Sequence, residues 1–95
     1  MEPEEPMERR EVHYSGRVQG VGFRHTARSI AQLYTVTGYV KNLPDGRVEL
    51  VVEGKAADVA GLLRAISTEM DRNIRDMQEA TLPATGRFTG FDVRF

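Results

Sequence analysis

The sequence predicts an α+β sandwich, two helices laid on one face of an antiparallel-rich sheet. Three observations predict it. Apolar residues alternate at period two in four separate segments, and they recur at threes and fours in two segments between these. Pro44-Asp45-Gly46 separates two of the alternating runs, which makes them a hairpin and rules out a simple alternating parallel sheet.

Taken in order, residues 1–10 (MEPEEPMERR) are proline- and glutamate-rich with little to bury, and are expected to form a mobile acidic tail ahead of a single domain over 11–95. From Glu11, Val12, Tyr14, Gly16 and Val18 alternate with His13, Ser15 and Arg17, the pattern of a strand with one buried face. His13 is expected to face solvent. Phe23, Ala27, Ile30, Ala31 and Tyr34 then share one face of a helix from Phe23 to Tyr34, while Arg24, Arg28 and Gln32 fall on another. A second strand, Thr35 to Leu43, sets Val36, Gly38 and Val40 against Thr37, Tyr39 and Lys41. The third, Arg47 to Glu53, sets Val48, Leu50 and Val52 against Glu49, Val51 and Glu53, and Gly54 is expected to close it.

A second helix, Ala56 to Met70, is spaced by Val59, Leu62, Leu63, Ile66 and Met70. Met70 and Met77 read as core filler. Asn73 to Leu82 alternates imperfectly around Ile74 and Met77, which predicts a bulged or twisted edge strand. Pro83 to Gly86 reads as loop, and Phe91 to Phe95 as a short last strand. The order β-α-β-β-α-β with an added strand is the split βαβ, or ferredoxin-like, sandwich. That architecture hosts many activities and selects none.

Composition narrows the classes. The chain has 95 residues, no cysteine and a formal net charge of −1. Disulfides and thiolate metal sites are excluded, and the balanced charge gives no electrostatic case for general nucleic-acid or membrane binding. An RNA-binding sheet would need a basic face and more aromatics than Tyr14 and Tyr39. No apolar run has transmembrane length, so the expected location is the cytoplasm.

The chemistry-bearing stretch is Gly16-Arg17-Val18-Gln19-Gly20-Val21-Gly22-Phe23-Arg24-His25. Three glycines within seven positions suit a loop whose amides turn toward an anion that must come close. It is neither a nucleotide P-loop nor Gly-x-Gly-x-x-Gly, since His25 stands where the third glycine would fall. Arg24 lies in the first helical turn, where a cation opposes the helix dipole. A bound anion explains that placement. A tight strand-to-helix turn with a solvated arginine and a solvated His25 explains the stretch equally well from these residues alone. Asn42, before the hairpin, reads by itself as a former of local turn bonds.

GRVQGVGFR, followed eighteen positions after its arginine by Asn42 within GYVKNLPDGRVELVVEG, resembles acylphosphatase. The likeness runs from Val12 through Gly86-Arg87-Phe88-Thr89-Gly90-Phe91 to Phe95. It departs at Tyr14, where the family often has an aliphatic residue, and at the helix exit Tyr34-Thr35-Val36. The resemblance implies hydrolysis of a carboxylic–phosphoric anhydride with no metal, no cofactor and no covalent intermediate. It makes Arg24 the phosphate-binding arginine and Asn42 the residue that positions the attacking water. The main chain of Gln19, Gly20, Val21, Gly22, Phe23 and Arg24 becomes the phosphate-binding loop. Lys41 is expected on the opposite sheet face and outside the site. A free-standing monomer acting on a small acyl phosphate is expected; the alternative is a non-catalytic phosphate- or carbamoyl-phosphate-binding module in a larger assembly.

Overall fold

A computed structural model describes residues 6–95. The elements run β1 (Met7–Gly16), α1 (Phe23–Ala31), β2 (Val36–Asn42), β3 (Val48–Lys55), α2 (Ala56–Glu69), β4 (Ile74–Pro83) and β5 (Phe91–Arg94). The sheet order is β4-β1-β3-β2-β5. β3 is antiparallel to both β1 and β2, and β1 is antiparallel to β4. β1 and β2 are therefore parallel to one another with β3 between them, the split βαβ arrangement. β5 extends the sheet parallel to β2, from Gly38↔Phe91 to Lys41↔Arg94.

Alternation decides what the helices cover. Val12, Tyr14, Val40, Val48, Leu50 and Val52 are buried against Phe23, Ala27, Ala31, Val59, Leu62 and Ile66. Complete removal of such side chains from water contributes about 1.5–3 kcal/mol each. The Tyr14 ring packs tilted on Phe23, centroids 4.9 Å apart. Its hydroxyl is buried without a hydrogen-bond partner among the described residues, and burial, with the charge of Glu79, pushes the phenol well above its ordinary range.

Several expected boundaries move. Met7 to Arg10, expected in the mobile tail, pair with β3 from Met7↔Lys55 to Arg10↔Val52. Their charges are satisfied along and across strands: Arg9 binds Glu11 of β1 and Glu53 of β3, and Arg10 binds Glu8 of β1 and Glu79 of β4. The remainder of that expectation, over residues 1–5, lies outside the described residues. α1 stops at Ala31 because the following amides tighten, Leu33 N donating to Ile30 O and Tyr34 N to Ala31 O. β3 runs one residue past Gly54, to Lys55. Met77 is 38% exposed and not core, because β4 is an edge strand that extends beyond the helices. The bulge expected in that strand is present: the β1–β4 register shifts between Ser15 and Gly16.

The larger departure is on the other face of the sheet. Val51 and Glu53 are nearly fully buried there, although alternation sets them opposite the helix side. β4 and β5 are at opposite edges, so the segment joining them must cross this face, and it does so over β3 and β2. The Glu53 carboxylate accepts hydrogen bonds from Thr85 N, Thr85 Oγ1 and Gly86 N at 2.8–3.0 Å, and from Arg9 Nη1 at 3.2 Å. Phe88 follows and packs on Tyr39, ring centroids 5.9 Å apart. Burial opposes ionisation of Glu53, but the donors from Thr85, Gly86 and Arg9 outweigh it and hold the carboxyl below a glutamate's ordinary 4.5.

That direction fixes a pH dependence. Protons bind the unfolded chain at higher pH than they bind the native carboxylate, so this contribution is complete above about 4.5 and is lost as pH falls through the lower native value. Thermal unfolding followed from pH 7 to 3 should show melting temperature falling below about pH 4.5. Glu53→Ala should cost about 2–3 kcal/mol at neutral pH, because it leaves Arg9 and two amides without their acceptor. Its stability should also decline less steeply with acid. An unchanged acid slope would exclude the carboxylate as the strap's anchor.

Candidate active site

The site is built where β1 ends and α1 begins. Gly20 has φ +74° and Gly22 φ +79°, both left-handed, a region costly for residues with a Cβ. A Cβ at either would meet nothing within 4 Å, so the backbone torsion, and not space, calls for glycine. Gly22 is the N-cap of α1, with no side-chain cap and no acidic residue in the first turn. The first amides of the helix, at the positive end of its dipole, therefore lack a side-chain acceptor.

An open cavity of about 350 Å³ lies against this turn, lined by Val18, Gly20, Gly22, Phe23, Arg24, His25, Arg28, Asn42, Val93 and Phe95. Asn42 reaches it because it shares the helix face of β2 with Gly38 and Val40, as alternation requires. Its Oδ1 is buried and has no hydrogen-bond partner among the described residues. It makes no turn bond through that oxygen, although local turn bonding was the reading from the asparagine's position alone. Lys41, one residue earlier, is not among the lining residues.

Arg24 is held from the sheet's last strand. Its Nη1 donates to the Arg94 carbonyl at 3.1 Å, and its guanidinium lies 4.6 Å from the Phe95 ring centroid. The Arg94 side chain lies over Tyr39, 4.0 Å from that ring's centroid. The Gln19 side chain turns to the hairpin. Its side-chain amide donates to Leu43 O at 2.7 Å and Arg47 O at 2.9 Å, which ties the loop to the β2–β3 hairpin. Gln19 and Val21 do not line the cavity, and Val21 is exposed.

Arg28, Val93 and Phe95 were not in the predicted site. Arg28 had a signal, one helical turn beyond Arg24 on the same stripe. Val93 and Phe95 had none, because only the parallel pairing of β5 with β2 brings them here. No Asp or Glu lines the cavity. It thus offers main-chain donors, fixed positive charge and no competing Asp or Glu side chain, the environment for a tetrahedral oxyanion.

An α+β sandwich with such a cavity is a small protein of phosphoryl chemistry, and comparison with known proteins agrees. The Acylphosphatase family model matches residues 10–93. The chain is 42% identical to an acylphosphatase of Rubrobacter xylanophilus, over 99% of this chain and 86% of that one. It is 43% identical to an acylphosphatase of Haloarcula marismortui, over 92% and 96% respectively. The crystal structure of acylphosphatase from Bacillus subtilis superposes with a TM-score of 0.83 at 26% identity, covering 93% of this chain and 99% of that one. Full-length HypF in a phosphate- and nucleotide-bound form gives 0.81 at 27% identity, over 98% of this chain but 12% of that much longer one. The chain belongs to the acylphosphatase family, whose members are hydrolases of acyl phosphates.

The Gln19 tether has a measurable consequence. Gln19→Ala removes both bonds to the hairpin carbonyls and should cost about 1–2 kcal/mol in denaturant unfolding. Backbone NMR order parameters of residues 20–24 should fall while the β3 amides keep their exchange protection. Uniformly accelerated exchange across the sheet would mean that Gln19 supports the fold as a whole and not the loop.

Proposed function

We propose that Arg24 and the main chain of residues 19–24 hold the phosphoryl group of a small acyl phosphate, and that Asn42 positions the water that attacks it. The observation that carries this reading is the buried, unpartnered Oδ1 of Asn42, in the same cavity as the glycine turn and Arg24. An amide oxygen accepts a water's hydrogen bond and so aims the water's lone pair.

In the proposed step the water oxygen bonds to phosphorus as the bond from phosphorus to the acyl oxygen breaks in line with it. The carboxylate departs with that electron pair. One water proton remains on the new phosphate hydroxyl, and the other passes to a phosphoryl oxygen of the substrate. The carboxylate is a good leaving group and the transition state is loose, so the protein need supply only position and charge. Main-chain donors and the guanidinium stabilise charge on the equatorial oxygens. No Asp or Glu side chain lines the cavity to serve as a base, and this route requires none. It also requires no metal and no cofactor. We take the acting species to be a monomer. No described helix is long and apolar enough to cross a membrane, and we place the activity in the cytoplasm, with neither nucleic acid nor membrane as partner.

Release of phosphate from acetyl or benzoyl phosphate in metal-free buffer tests the activity. Arg24→Gln should lower kcat/KM by about 10²–10³-fold and weaken competitive inhibition by inorganic phosphate. Asn42→Ala should lower kcat by about 10²-fold while leaving phosphate inhibition near that of the wild type. An Asn42→Ala enzyme with wild-type kcat removes the positioning role. Phosphate-dependent thermal protection with no turnover would instead mark a binding module.

A further inference from the structure

A second cavity, of about 420 Å³, opens at the start of the glycine-rich stretch and shares no lining residue with the first. It is lined by Gly16, Arg17, Arg72, Asn73, Ile74 and Arg75. Three of the six are arginines, in a chain whose formal net charge is −1. Among the described residues Arg9, Arg10 and Arg47 are paired with carboxylates, whereas Arg17, Arg72 and Arg75 have no ion pair and no side-chain hydrogen bond. Asp71 and Asp76 flank the cluster in sequence, yet neither is within the 4.0 Å that defines an ion pair with any of the three.

Backbone constraints bring these cations together. Arg17 N donates to Asn73 O at 2.9 Å. Gly16, at φ +126°, approaches the α2–β4 turn so closely that a Cβ would sit 2.4 Å from Asn73 O and 2.7 Å from Arg75 N. The register passes from Ser15↔Asp76 to Gly16↔Ile74, so Arg75 is the extra residue of the bulge. A bulge takes its side chain out of the strand's alternation, and here Arg75 joins Arg17 and Arg72 at one cavity. The guanidinium fork fits phosphate oxygens.

We propose that this second cavity is an anion site, separate from the catalytic one, for a compact small molecule carrying two or more linked phosphate groups. A concave site lined by three arginines suits a short polyanion, where a nucleic-acid duplex would need a basic stripe. A single orthophosphate would leave part of the cationic charge unmatched. Arg17 and Val18 are neighbours that line different cavities, so the occupied site would adjoin the catalytic loop without touching the reacting phosphoryl group.

Inorganic pyrophosphate is the probe, titrated into the full chain and followed by amide NMR and calorimetry at two salt concentrations. Expected are shifts at Arg17, Asn73 and Arg75 that persist in Arg24→Gln, and binding that weakens with salt. Arg72→Gln/Arg75→Gln should lose about tenfold or more in pyrophosphate affinity and keep acetyl phosphate turnover within about twofold of the wild type. Both replaced side chains are exposed, so the variant should fold. Shifts confined to Gly20–Arg24, or wild-type affinity in the double variant, would overturn the site. Orthophosphate binding there as tightly as pyrophosphate would overturn the ligand class. Loss of turnover in the wild type would count against the catalytic reading and leave this one standing.

Discussion

Two hydrogen bonds from one side-chain amide hold the glycine loop before α1 in register with the sheet. Gln19 Nε2 bridges the carbonyls of Leu43 and Arg47, the residues on either side of the Pro44-Asp45-Gly46 turn. A loop with two left-handed glycines is otherwise free to shift relative to β2. The cavity is shared between that loop and Asn42 at the end of β2, so it keeps its shape only while loop and hairpin move as one body. The hairpin has its own restraint, Leu43 N donating to Arg47 O at 2.8 Å. Preorganisation of this kind leaves less to be ordered when an anion arrives.

The opposite face of the sheet supports the same site by a longer route. Glu53 anchors residues 85 and 86, Phe88 packs on Tyr39, and the chain then enters β5, whose Arg94 carbonyl accepts from Arg24. A buried carboxylate is costly unless its oxygens are satisfied, and here two chain segments, β1 through Arg9 and the loop at Thr85–Gly86, supply the donors. Glu49 makes a smaller version of the arrangement. It accepts from Tyr39 Oη at 2.8 Å and lies 3.1 Å from His13 Nε2. Burial opposes its charge, but those two partners prevail and hold its carboxyl below the usual range. His13, expected as a plain solvent-facing residue, is thus a partner in this network.

Local signals were read well where a residue's role follows from its near neighbours in the chain. Alternation located Val12, Tyr14, Val48, Leu50 and Val52 in the core, and threefold and fourfold spacing located α2 to within a residue. The irregularity around Ile74 and Met77 became a bulge. Errors arose where another segment intervened. Met7 to Arg10 looked to have too little to bury to join the fold, and opposite charges on β3 and β4 pair with Arg9 and Arg10. Val51 and Glu53 looked half-solvated, and a distant loop covers them.

By itself the sequence determined the sandwich, a glycine-rich turn before α1, and the face of β2 on which Asn42 lies, since these depend on periodicity and on local backbone preference. Only the tertiary structure decided that Asn42, Arg24 and Arg28 meet Val93 and Phe95 around one cavity, and that Arg17, Arg72 and Arg75 gather around another. Both depend on strand partners remote along the chain, β5 beside β2 and β4 beside β1. The physical reason is that local spacing sets which way a side chain points, whereas sheet order and register set what it meets there.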